Sequence, residues 1–77
     1  MKRRKPDNET ARQRFVRFAE ARTNAVIDKL RVLGNLSNKR NYDYSEEEID
    51  KIFSAINRQV REVRAKFDTH RSRKFKL

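Results

Sequence analysis

The sequence predicts an all-α protein, an antiparallel two-helix hairpin with a basic arm at each end. Three observations lead there. Apolar residues recur at spacings of three and four over 15–33 and again over 49–67. The only glycine, Gly34, opens an Asn- and Ser-rich break between those stretches. Basic residues crowd both ends: Lys2, Arg3, Arg4 and Lys5 at the start, and Arg71, Arg73, Lys74 and Lys76 at the finish. Removing those eight from the 21 Lys and Arg leaves 13 against 11 acids, so the formal net charge of +10 is mostly terminal. The expected organisation is an arm over 1–6, a hairpin over 7–68 and a second arm over 69–77.

The first helix is expected over about 8–33. Pro6 disfavours a helical residue before it, and Asp7 or Asn8 can accept a free first-turn amide. The apolar stripe comprises Phe15, Phe18, Ala19, Val26, Leu30 and Leu33, interrupted by Arg22 at the same angular position. A second line through Val16, Thr23, Ile27 and Leu30 widens this face beyond what one partner helix requires. Arg22 is expected to reach a carboxylate such as Asp50 or Glu62, or else to set partner or register.

Gly34 follows the last periodic residue, where a left-handed C-terminal cap favours a residue without a β-carbon. The loop is expected over 34–44, because the Asn and Ser side chains of 35–41 compete for backbone hydrogen bonds.

The second helix is expected over about 45–68. Ser45 and Glu48 make a capping box, and Tyr44 stands where it can pack on Ile49 as a hydrophobic staple. Glu46, Glu47 and Glu48 lie at the positive end of the helix dipole. Ile49, Ile52, Phe53, Ile56, Val60, Val63 and Phe67 then follow at helical spacing without a gap. Both apolar stripes are read as core.

Antiparallel packing places Arg12, Arg14 and Arg17 beside Arg58, Arg61, Arg64 and Lys66, with both arms at that end and the acids near the turn. At 77 residues, with 35% hydrophobic and 42% charged residues, the core is thin. Self-association, for instance two hairpins in a four-helix bundle, or docking on a partner is therefore favoured.

Composition excludes several classes of function. There is no cysteine, hence no disulfide, thiolate metal site or thiol nucleophile. The lone histidine, His70, has no second imidazole or carboxylate cluster nearby, the serines have no adjacent base, and one glycine cannot make a phosphate loop. No catalytic residue, metal ligand or cofactor is expected. The basic start lacks the apolar run of an export signal, and no stretch approaches the roughly 20 apolar residues of a membrane span. A cytoplasmic protein that does not enter the membrane is expected.

The charge points instead to a polyanion. Arginine-rich arms neutralise phosphates and release counterions, and the planar guanidinium fork holds a phosphate bidentately. The candidate nucleic-acid-binding residues are Arg3, Arg4, Arg71, Arg73 and Lys74 in the arms, extended by Arg14, Arg17, Arg58 and Arg61 on the body. Phe75, between Lys74 and Lys76, is placed to stack on an unpaired base, whereas Tyr42 and Tyr44 are read as packing residues. RNA is preferred over DNA because no helix-turn-helix is evident and arginine-rich segments commonly order on RNA. The expected function is thus a non-enzymatic nucleic-acid-binding accessory protein, as in a ribonucleoprotein. The alternative is a protein-interaction module or phage or plasmid regulator that acts through its wide apolar face, as a homodimer or on a larger protein.

The runs Arg22, Thr23, Asn24, then Leu33, Gly34, Asn35, Leu36, Ser37, Asn38, then Asn41, Tyr42, Asp43, Tyr44, Ser45, followed by Ile52, Phe53 and a closing Ala65, Lys66, Phe67, carry a family resemblance. Across roughly 12–67 the chain resembles a group of short helical bacterial proteins, some carried on Gram-positive mobile elements. The resemblance implies a bacterial or mobile-element setting and a helical hairpin. It implies no activity and no functional residue.

Overall fold

The computed structural model describes residues 9–68. Among them the fold is entirely helical: α1 spans Ala11–Gly34, a 3-10 turn spans Asn35–Ser37, and α2 spans Glu46–Asp68, with no strand. The chain divides into two units, Met1–Tyr42 and Asp43–Leu77, each built around one α-helix.

In the first unit α1 starts at Ala11 rather than near residue 8, and its cap is Thr10 rather than Asp7 or Asn8. Thr10 is extended (φ −79°, ψ 166°) and closes a capping box. The Gln13 amide donates to Thr10 Oγ1 at 3.0 Å, and the Thr10 amide donates to Gln13 Oε1 at 2.9 Å. The correction has a simple cause. A Thr-x-x-Gln pair satisfies two orphan amides at once, whereas a lone Asp or Asn cap satisfies one.

At the other end of α1, Gly34 does not adopt the left-handed cap expected of it. Its φ of −61° and ψ of −22° are right-handed helical, and no described residue has positive φ. The chain tightens instead into the 3-10 turn, where the Asn35 N–H donates to the Val32 carbonyl. Asn38 then ends the turn in an extended conformation. Its Oδ1 accepts from the Arg40 amide at 3.0 Å, and its carbonyl accepts from the Asn41 and Tyr42 amides at 3.1 and 3.0 Å. One asparagine thus organises the turn over 38–42, the local competition with helix that short polar side chains provide.

In the second unit the α2 start is the one the sequence predicts. The Ser45 amide donates to Glu48 Oε1 at 2.9 Å, and the Glu48 amide donates to Ser45 Oγ at 3.1 Å. Tyr44 and Ile49, at the two staple positions, are both half-buried. The three first-turn glutamates complement the N-terminal dipole, and Lys66 complements the C-terminal one. Ion pairs between Arg31 and Asp28 (2.7 Å, i,i+3) and between Arg64 and Asp68 (3.3 Å, i,i+4) brace the ends of α1 and α2. Exposed pairs of this kind contribute only about 0.3–0.5 kcal/mol each.

No described residue is buried, so neither helix covers its own apolar stripe. Phe15, Phe18, Val26, Ile27 and Leu30 of α1 are exposed, as are Ile52, Phe53, Val60, Val63 and Phe67 of α2. The periodicity that makes each helix amphipathic is present, but the surface that would cover it is not supplied by the helix itself.

Candidate nucleic-acid interface

Helical geometry assigns a face to each candidate arginine. At about 100° per residue, Arg17 and Arg58 fall opposite the apolar centres of α1 and α2, and Arg14 and Arg61 lie roughly 120° or more from them. Arg14 and Arg17 are i,i+3 neighbours, as are Arg58 and Arg61, so each pair has its Cβ atoms about 5–6 Å apart on one helix surface. Either helix can therefore bury its apolar stripe and still present both arginines to solvent.

The four differ in what already holds them. Arg17 is engaged bidentately by Glu9, which lies just before the Thr10 cap: Nε donates to Oε2 and Nη2 to Oε1, both at 2.8 Å. The Glu9 side chain is only 10% exposed, against 44% for Arg17. Hydrogen bonding to Glu9, opposed by slight desolvation and aided by the carboxylate charge, raises the Arg17 pKa further above its ordinary value. The fork that would grip a phosphate is thus closed on a carboxylate, and a phosphate must displace Glu9 to reach it. Among the described residues, Arg14, Arg58 and Arg61 form no ion pair or ring contact.

Two cations lie against the Phe18 ring. The Arg17 guanidinium carbon is 4.5 Å and that of Arg22 is 4.7 Å from its ring centroid. Arg22, expected to seek a carboxylate, covers the aromatic ring one turn before it instead, within the roughly 6 Å reach of a cation–π contact. Its interruption of the apolar stripe is thereby lessened, since a guanidinium face laid on a ring shields apolar surface.

Shallow open depressions follow the polar flanks of both helices. That on α1 is lined by Glu9, Arg12, Gln13, Arg17, Glu20 and Asn24 among others. That on α2 is lined by Glu47, Asp50, Lys51, Ser54, Ala55, Arg58 and Arg61. The α2 flank changes sign along its length, with Glu47 and Asp50 near the start and Arg58 and Arg61 toward the end. Lys51 joins Arg58 on one row, seven residues earlier. It is absent from the sequence-based candidates, although its heptad spacing from Arg58 is visible in the chain. Arg3, Arg4, Arg71, Arg73 and Lys74, together with Phe75, lie outside the described residues. Among the described residues, no helix is long and apolar enough to cross a membrane.

No protein-family model matches this chain, and no curated protein or solved structure matches it either.

Proposed function

We propose that this chain is a non-enzymatic nucleic-acid-binding accessory protein of the bacterial cytoplasm, with RNA preferred over DNA. The observation that carries the reading is the concentration of the +10 charge in two short terminal clusters. Arg14, Arg58 and Arg61, which form no ion pair among the described residues and are turned away from the apolar stripes, extend the basic surface onto the helices. In this reading α1 and α2 close as an antiparallel hairpin, which gathers both arms and the body arginines at one end. The acidic first turn of α2 then lies at the other end, and the charge gradient orients the molecule in the field of a polyanion.

The test is a competition titration by fluorescence anisotropy on the full chain, with structured RNA, single-stranded RNA and duplex DNA at physiological ionic strength. Sub-micromolar affinity with a clear preference for RNA is expected. Affinities in the nonspecific range of roughly 10–100 µM for every competitor overturn the reading.

The exposure of both apolar faces favours a second reading, an interaction module in which these faces dock on protein. Two hairpins joined in a four-helix bundle are its simplest form. The two readings are compatible, because the basic and apolar surfaces occupy different sides of the same helices.

A further inference from the structure

The apolar residues of α2 follow a stricter rule than amphipathicity requires. Ile49, Phe53, Ile56, Val60, Val63 and Phe67 are separated by four, three, four, three and four residues, an unbroken heptad seam with Ile49, Ile56 and Val63 at d and Phe53, Val60 and Phe67 at a. A repeat of 3.5 residues keeps a seam facing one partner helix, whereas a helix packed on an irregular core drifts around its axis. Within its own unit this seam is open: Phe53, Val60, Val63 and Phe67 are 46, 58, 42 and 59% exposed, and Ile49 and Ile56 are only half-buried. The stripe of α1 has no such regularity, since Arg22 and Lys29 occupy its corresponding positions.

The residues beside the seam identify the occupant. The e positions of α2 are Asp50, Asn57 and Arg64, all exposed. In an antiparallel pair e residues face e residues of the other helix. A dyad at Asn57 therefore sets Asp50 against Arg64 of the second copy, Arg64 against Asp50 of the second copy, and Asn57 against itself. The same register stacks Phe53 on Val63, Val60 on Ile56 and Phe67 on Ile49 of the other helix, so every a residue meets a d residue. A parallel pair instead sets Gln59 near Arg64 and Ile52 near Asn57, with no ion pair, and gathers two sets of first-turn glutamates at one end. Antiparallel alignment also opposes the two helix dipoles.

We propose that α2 is a self-complementary dimerisation helix that pairs antiparallel with α2 of a second copy about Asn57. The interface is isologous, so each contact occurs twice. It deepens the interaction reading by naming the partner, places α2 of the second copy rather than α1 on this seam in place of the intrachain hairpin, and does not rest on nucleic-acid binding. Arg64 is held by Asp68 only at 3.3 Å and in solvent, a contact it exchanges readily for Asp50 of the second copy. Arg58, on the face opposite the seam, stays outside the dimer.

The test uses the full chain without nucleic acid. Because the protein has no cysteine, Asn57→Cys introduces one thiol, which meets its own copy across the dyad only in this register. Arg58→Cys places the thiol on the outer face. A dimer by sedimentation equilibrium at high micromolar concentration is expected, with Asn57→Cys oxidising to a disulfide-linked dimer about tenfold or more faster than Arg58→Cys. Asp50→Arg replaces two attractive pairs with two repulsive ones and weakens dimerisation on the order of tenfold. Adding Arg64→Asp restores it. Both substitutions oppose the dipole of α2, so recovery in the double variant cannot come from the helix alone. A monomer at that concentration, equal cross-linking of the two cysteine variants, or a double variant no tighter than Asp50→Arg overturns the proposal. None of these results bears on the anisotropy titration, so the two readings fail separately.

Discussion

Replacing Gly34 with alanine separates two physical accounts of the end of α1 by sign. If Gly34 held a left-handed cap, a β-carbon there would cost about 1–2 kcal/mol, roughly a five- to thirtyfold loss in the local folding constant. The structure predicts the opposite. Gly34 has φ −61° and ψ −22°, values any L-residue adopts. A β-carbon built on it meets nothing within 4 Å. The substitution therefore introduces neither clash nor strain, while the unfolded chain gives up the extra freedom of glycine. The expected gain is about 0.4–1 kcal/mol, or roughly two- to fivefold in the helix–coil constant of the last turn. Amide hydrogen exchange at Leu33 and Asn35 reads this directly, and circular dichroism at 222 nm reports the change in helicity. Protection should rise by that factor in Gly34→Ala with helicity unchanged or higher. Faster exchange and a drop in helicity would refute the right-handed assignment and reinstate the left-handed cap.

Other perturbations follow from the same geometry. Ser45→Ala removes the acceptor for the Glu48 amide and should destabilise the first turn of α2 by about 1 kcal/mol, read as faster exchange at Glu48; Thr10→Ala should do the same at Gln13. Glu9→Gln dissolves the charged fork on Arg17, so nucleic-acid affinity should rise and its salt dependence steepen, and an unchanged slope would exclude Arg17 from phosphate binding. Replacing Arg3, Arg4, Arg71, Arg73 and Lys74 with glutamine should weaken binding and flatten the salt slope by about 0.9 for each duplex phosphate no longer neutralised, or about 0.7 on a single strand, and an unaltered slope would remove the arms from the interface. The Arg17 pKa is raised in the folded chain, so its contribution is fully present below the unfolded value and is lost only as pH rises through the folded one. That window lies in the strongly alkaline range, far above neutrality, so wild type and Glu9→Gln should show the same flat helicity between about pH 6 and 9; a transition there in wild type alone would contradict this.

What could be read from the amino-acid string depended on how far apart the interacting groups stand. The capping box of Ser45 and Glu48 spans three residues, so recognising it needed only spacing. The Thr10 and Gln13 box is equally local and was equally legible, but Asp7 and Asn8 offered nearer cap residues that drew the boundary toward the N terminus. The apolar periodicities of α1 and α2 are likewise properties of one helix and follow from 3.6 residues per turn.

Spacing and composition were therefore enough to establish that the chain is helical, where α2 begins, which side of each helix is apolar, and that its excess charge is terminal. The three-dimensional arrangement decided what that information leaves degenerate. Gly34 can adopt either sign of φ, and the choice fell to the 3-10 turn that the following residues form. Arg17 had Glu9 eight residues back and Glu20 three residues on as possible partners, and only the position of Glu9 just ahead of the cap closes both of its oxygens on the guanidinium. Arg22 had carboxylates to seek and instead covers Phe18, one turn away on its own helix. In each case several partners of similar energy lay within reach of a long side chain or a permissive backbone, and spacing alone carries no information about which of them is nearest in space.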